Sequence, residues 1–259
     1  MPLTEIAGRR LFYRLDGPAD RPVAMLSNSL GTDHGLWDPQ LAEIGTRYRL
    51  LRYDNRGHGR SPAPDGPVTV ADLGGDALAL IDRLGLERVR FMGLSLGGMV
   101  GMWLAIHAPG RVERLILCNT SAYIGQPEVW NPRIETVRRS GMKAIVPGVV
   151  ERWFTPGFRE RDPGAVEQAS RMLLATTPAG YVACCEAIRD MDQRDSIEAI
   201  RAPSLVIAGA HDVATPVEHA RLIVGRVPGA RLVTLDAAHL SNIEQAARFT
   251  SAVLDFLGP

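Results

Sequence analysis

The sequence is short of several things, and each shortage excludes a class of protein. It has three cysteines, Cys118, Cys184 and Cys185. An odd count with two neighbours is a poor disulfide framework and points to a reducing compartment. It has one lysine, Lys143, and its 29 basic residues are matched by 29 acidic ones. Without net charge or a block of one sign, it lacks the electrostatic footprint of a nucleic-acid binder or of a protein held to an anionic membrane. No apolar run reaches the roughly 18 residues of a membrane span, and Met1 to Arg10 carry no apolar core of a secretory signal. The expectation is a cytoplasmic protein. There are no internal repeats and no low-complexity segment.

What is present is enough for one large domain: 259 residues, 46% of them hydrophobic. Aliphatic and β-branched runs at Val23–Leu26, Leu50–Tyr53, Val89–Gly93, Leu115–Cys118, Ser204–Ala208 and Arg231–Leu235 read as strands apolar on both faces. Amphipathic stretches at Val70–Leu84, Gly98–His107, Val217–Val227 and Ser241–Leu257 alternate with them, the pattern of a doubly wound, mostly parallel α/β sheet with helices on both faces. Leu11–Leu15 is expected to open an antiparallel edge. The alternation fails over 122–195, where helical patterns at Ile134–Ile145, Ala165–Ala175 and Gly180–Met191 are punctuated by prolines. The division expected is a core of 1–121 and 196–259 with a helical cap, 122–195, over the carboxyl edge of the sheet.

Between one of these strands and the next helix lies Gly93-Leu94-Ser95-Leu96-Gly97. A G-x-S-x-G sequence carries little weight alone, but a strand before it and a helix after it make it a nucleophile elbow of the α/β-hydrolase fold. Ser95 must hold a strained backbone there, and the crowded turn admits only tiny side chains two residues either way. The following helix N-terminus places the N–H of Leu96 and a positive dipole end beside a developing oxyanion.

A serine hydroxyl needs a base, and the fold places it downstream. Of six histidines, His239 stands in the loop between the strand Arg231–Leu235 and the last helix, where that loop reaches the carboxyl edge. His107 ends a helix, His219 sits on an amphipathic one, and His58 belongs to a tight glycine-rich turn. The acid that holds the imidazole is expected to be Asp212, in the loop after Ser204–Ala208, which completes the order Ser95, Asp212, His239. Asp236, three residues before the base, is the rival. His211 has no evident role.

Asn28-Ser29-Leu30-Gly31-Thr32-Asp33 with Trp37-Asp38, Asp54-Asn55-Arg56-Gly57-His58-Gly59-Arg60-Ser61, the Ser95 elbow, and His239-Leu240-Ser241-Asn242-Ile243-Glu244 together closely resemble the 3-oxoadipate enol-lactonases across the whole chain. The elbow and the Asp54 turn are shared widely among α/β-hydrolases. The Asn28–Thr32 segment, with Asn28-Ser29 where a His-Gly pair is common, is what points to the lactonases. The resemblance implies a second oxyanion donor at the N–H of Leu30. It also implies a small anionic enol-lactone as substrate, no metal and no cofactor. Asn28, Ser29, Trp130, Arg133 and Trp153 are the candidates for binding substrate, Arg133 for its carboxylate. A carbon–carbon bond hydrolase of aromatic catabolism, or a broad carboxylesterase or perhydrolase, would keep the same triad and cap. A non-catalytic binding protein on this fold would normally lack a triad member.

Overall fold

Every aliphatic run read from the sequence becomes a strand of one eight-stranded sheet in the computed structural model, which describes residues 3–6 and 8–258. The strands are β1 (Leu3–Ile6), β2 (Arg9–Asp16), β3 (Val23–Ser27), β4 (Arg49–Tyr53), β5 (Val89–Leu94), β6 (Val112–Cys118), β7 (Ser204–Gly209) and β8 (Arg231–Leu235). They lie in the order β1-β2-β4-β3-β5-β6-β7-β8. β1, β2 and β4 pair antiparallel, and every other pairing is parallel. The segment expected at the edge, β2, is one strand in from it. β1 lies outside, and four residues offered too short a pattern to read. β8 departs from the expectation of strands apolar on both faces: it is the other edge, with Arg231 and Thr234 exposed, whereas β7 beside it is buried throughout.

A 3-10 turn at His34–Gln40 and α1 (Leu41–Ile44) follow β3. α2 (Val70–Arg83) begins at a capping box, with the Thr69 hydroxyl accepting from Asp72 N–H and the Asp72 carboxylate accepting from Thr69 N–H. α3 (Leu96–His107) is apolar on most of its surface because it is enclosed, lying on β3, β5 and β6 with α2 behind it.

Between β6 and β7 the described residues form helices and no strand: α4 (Pro127–Ser140), α5 (Val146–Trp153), α6 (Pro156–Arg161), α7 (Pro163–Ala175) and α8 (Pro178–Asp190). Apart from Pro132, which lies inside α4, the prolines of 122–195 are starts of helices. Pro127, Pro147, Pro156, Pro163 and Pro178 each stand in the first two positions of a helix, where a missing N–H costs nothing. The helix expected at Ile134–Ile145 instead begins at Pro127 and stops before Gly141, whose φ of 72° ends it; a separate 3-10 turn follows. α5 and α6 were not legible in the sequence, since at eight and six residues they are too short to show a period.

α9 (Val217–Arg226), α10 (Ser241–Glu244) and α11 (Ala246–Leu257) complete the chain, the last two split at Gln245 where one continuous helix was expected. α9 packs on β7 and β8, and α11 packs with β8, α1 and the 3-10 turn. Among the described residues no helix is long and apolar enough to cross a membrane.

Candidate active site

The turn from β5 into α3 sets Ser95 at φ 56° and ψ −113°, a left-handed backbone costly for any residue with a side chain. The surroundings leave no alternative. A Cβ on Gly93 would lie 2.1 Å from the Gly97 carbonyl oxygen, and one on Gly97 would lie 2.1 Å from that of Ser27. Backbone bonds hold the strain: Ser95 N–H donates to Cys118 O at 2.8 Å, and the Thr120 hydroxyl donates to Ser95 O at 2.7 Å. Leu96 opens α3, so its N–H has no partner within the helix.

β7 and β8 deliver the other two expected residues. His239 Nδ1 lies 2.8 Å from Asp212 Oδ2, with both side chains buried. Because an ionised carboxylate only accepts, Nδ1 carries the proton and Nε2 of the neutral ring is left to accept one. Asp212 is dense with donors. The Thr215 hydroxyl and Asn119 Nδ2 join His239 on Oδ2 at 2.7 and 3.0 Å, while Ala214 N–H and Thr215 N–H reach Oδ1 at 2.8 and 3.0 Å. Burial alone would push this carboxyl up; the adjacent His239 and the donors from His239 and Thr215 outweigh it and hold Asp212 at about 2. It stays ionised at any working pH.

Asn119, at the end of β6 with φ 43°, also donates to Ala238 O at 3.2 Å and accepts from the Ser241 hydroxyl at 2.5 Å. It therefore ties the Asp212 loop to the His239 loop. Nothing in the sequence around Asn119 announces this, because its partners lie 93 to 122 residues away.

The rival acid is elsewhere. Asp236 is exposed and its Oδ1 lies 2.7 Å from His211 Nε2, which accounts for the histidine that had no role. Asp236→Asn is accordingly expected to leave kcat within about twofold of the parent, since an exposed pair of this kind contributes ~0–1 kcal/mol. A loss as deep as that of Asp212→Asn in a steady-state assay would return the acid's role to Asp236.

Ser95 and His239 share one cavity of about 230 Å³ with Ser29, Leu30, Trp130, Arg133, Trp153 and residues of the Asp212 loop. The helical layer between β6 and β7 forms its roof. Leu30 sits in a turn closed by the Thr32 N–H and hydroxyl, which both donate to Ser29 O at 3.2 and 2.9 Å.

Asn28 corrects the expectation that it contacts substrate: it is fully buried and does not line the cavity. Its Nδ2 donates to Tyr53 O at 2.6 Å and its Oδ1 accepts from Trp37 Nε1 at 2.9 Å. Both ends of the amide thus clamp the loop that carries Leu30 to β4 and to the 3-10 turn. His219, on α9, is half-buried, and burial lowers its pKa.

Among the lining residues that the sequence reading did not name are Arg152 and Tyr181. Arg133 lies over the Trp130 ring, 5.0 Å from its centroid. Among the described residues neither Arg133 nor Arg152 has a carboxylate partner. Burial and the charge of Arg133 lower the pKa of Arg152. Burial likewise pushes the Tyr181 phenol up, with both guanidinium groups near it. The only available signal was Arg152 preceding Trp153, and it lay in a helix the periodicity did not reveal.

Ligand atoms of Asp33, His34 and Asp54 lie within 4.8 Å of one another, the one such group among the described residues. They are engaged with each other and with the backbone: Asp54 Oδ1 accepts from His34 N–H at 2.7 Å and lies 2.9 Å from its Nδ1, and Asp33 Oδ1 accepts from Gly35 N–H at 2.8 Å. None lines the Ser95 cavity.

A family model described as alpha/beta hydrolase fold matches residues 26–159. The protein named 3-oxoadipate enol-lactonase 2 from Acinetobacter baylyi is 42% identical over 243 residues, covering 94% of this chain and 91% of its own. The same organism's 3-oxoadipate enol-lactonase 1 is 34% identical, covering 98% and 96%. The crystal structure of the enol-lactonase from Burkholderia xenovorans LB400 is 46% identical with a TM-score of 0.97, covering 99% of each chain.

Proposed function

Since the chain belongs to the α/β-hydrolase family, among the 3-oxoadipate enol-lactonases, we propose that it hydrolyses the enol-lactone of 3-oxoadipate in aromatic-compound breakdown, through an acyl-enzyme on Ser95. One observation carries this reading. The cavity that holds Ser95 and the Asp212-bound His239 also holds two guanidinium groups without carboxylate partners. Hydrolytic groups alone would suit any ester. Two uncompensated cations beside them suit an ester that carries its own carboxylate.

Ser95 Oγ attacks the ring carbonyl while His239 Nε2 takes its proton. The N–H groups of Leu30 and Leu96 hold the oxyanion, whose charge develops at the N-terminus of α3. Collapse breaks the ring C–O bond. The leaving enolate takes a proton from the imidazolium and becomes a ketone, so the leaving group stays tethered as part of the acyl chain. Water, deprotonated by His239, then attacks the acyl carbon, and Ser95 recovers its proton as 3-oxoadipate leaves. Asp212 holds the tautomer and stabilises the imidazolium in both halves. Arg133 and Arg152, with Tyr181 and Ser29, receive the carboxylate arm.

Cavity size argues against the carbon–carbon bond hydrolase. At about 230 Å³ the site falls below the ~300–1,000 Å³ of pockets for drug-sized ligands, which suits a single small ring better than a long aryl dienoate. The test is a comparison of kcat/KM on the enol-lactone, on saturated lactones and on neutral aryl esters. The enol-lactone is expected to lead by at least about a hundredfold, two charge-assisted contacts being worth ~3 kcal/mol or more together. Equal values across the panel would identify a general esterase.

A further inference from the structure

Glu244 is buried and has no cationic partner among the described residues. Its carboxylate gathers three donors instead. Oε2 accepts from Ala238 N–H at 2.9 Å and from Thr155 N–H at 3.3 Å, and Oε1 accepts from the Thr155 hydroxyl. These donors come from different parts of the molecule. Thr155 caps α6 in the turn that follows α5, while Ala238 immediately precedes His239. On the other side of His239, Leu240 N–H donates to Trp153 O at 3.0 Å. The backbone directly before and directly after His239 is thus tied to residues 153–155 of the helical layer, and Arg152 and Trp153 of that layer line the substrate cavity.

We infer that Glu244 is a positioning residue: with Thr155 it forms a strut that sets the His239 loop against the turn between α5 and α6. The inference rests on the proposed role of His239 as base. Asp212 fixes only how the ring turns about its own bonds, because it grips Nδ1. How far the ring stands from Ser95 is decided by the backbone that carries it, and that backbone is anchored in the helical layer as well as at Asn119 of the sheet. A carboxylate suits the place because it accepts from several directions and donates to none. A buried carboxylate without a cation is tolerated only where such donors replace its hydration. Contacts made by substrate on Arg152 and Trp153 bear on the same turn, so the helical layer that receives the substrate also seats the base.

The inference predicts a kinetic signature distinct from simple loss of stability. In the full-length protein, Glu244→Ala should lower kcat by about 10- to 100-fold on both the enol-lactone and a neutral aryl ester, with KM changed by less than about threefold, because a displaced base impairs chemistry and not binding. The far-downfield proton resonance of the His239 Nδ1–H bond to Asp212 should broaden or shift. Glu244→Gln, which keeps an acceptor, should recover most of kcat. Thr155→Val, which removes one of the three donors, should lose about three- to tenfold and add little to Glu244→Ala, since both remove one strut. Should Glu244→Ala fail to fold, Thr155→Val and the proton resonance decide alone. A normal kcat and an unchanged resonance in Thr155→Val, or in a folded Glu244→Ala of lower Tm, would overturn the inference. His239→Ala separates this from the underlying reading. If it stays active, His239 is not the base and that reading fails; if it is inactive while Glu244→Ala is normal, only the strut fails.

Discussion

Ser95→Ala is expected to lower kcat on the enol-lactone at least about ten-thousandfold, with His239→Ala falling to the same floor and Asp212→Asn close behind. The fold should survive each change. Alanine keeps the Cβ of Ser95, so the left-handed backbone of the elbow is no more and no less strained, and its bonds to Cys118 O and from the Thr120 hydroxyl involve main-chain atoms of Ser95. Asparagine at Asp212 can still accept from Thr215 and Ala214, but it presents an amide N–H where His239 Nδ1–H now donates. The ring is then driven to the tautomer in which Nε2 carries the proton and cannot take one from Ser95. The double variant Ser95→Ala/His239→Ala should be no slower than either single one, because nucleophile and base act as a unit. What remains is the rate supported by binding and by the proposed oxyanion donors Leu30 and Leu96. Multiplicative losses in the double variant, measured by steady-state kinetics, would show that the two residues act independently and would refute the mechanism.

The arginine pair should separate substrates. Replacing both Arg133 and Arg152 with methionine is expected to raise KM for the enol-lactone about a hundredfold or more, two charge-assisted hydrogen bonds being worth ~1.5–3 kcal/mol each. On a neutral aryl ester the same variant should lie within about threefold of the parent, since the carboxylate is remote from the bond being cleaved. The single variants should lose less than half of that free energy. Two like charges sharing a half-buried cavity oppose each other until an anion arrives, and burial first and the charge of Arg133 second lower the pKa of Arg152. Removing one relieves that opposition and leaves the other to bind the carboxylate alone. Arg152→Met should therefore raise the Tm of the ligand-free protein in a thermal melt while weakening substrate binding. Equal kinetic losses on both substrates would mean that the arginines support the helical layer and do not read the carboxylate.

Where a signal was local, the sequence was enough. The aliphatic runs of the sheet and the glycines on either side of Ser95 act over a few residues, and their geometry follows from sterics and period. The loops after β7 and β8 were legible because a parallel sheet places every such loop at one edge, so the chain order Ser95, Asp212, His239 follows from topology. α5 and α6 were not legible, because six to eight residues do not complete enough turns to show a face.

By itself, then, the sequence determined the fold class, the elbow and the triad candidates, and a family likeness carried mostly by Asn28–Thr32. The tertiary structure alone decided which of two neighbouring aspartates faces His239, since Asp212 and Asp236 differ only in what surrounds them: buried donors for one, an exposed His211 for the other. It turned Asn28 from a substrate contact into a clamp on Trp37 and Tyr53, and it brought Arg152 beside Arg133 and Glu244 against Thr155. Each of these depends on partners far apart in the chain or on the direction in which a side chain points. A hydrogen bond is decided by distances of a few ångströms and by angle, and neither is written in the local pattern of a chain whose contacts are made only after it has folded.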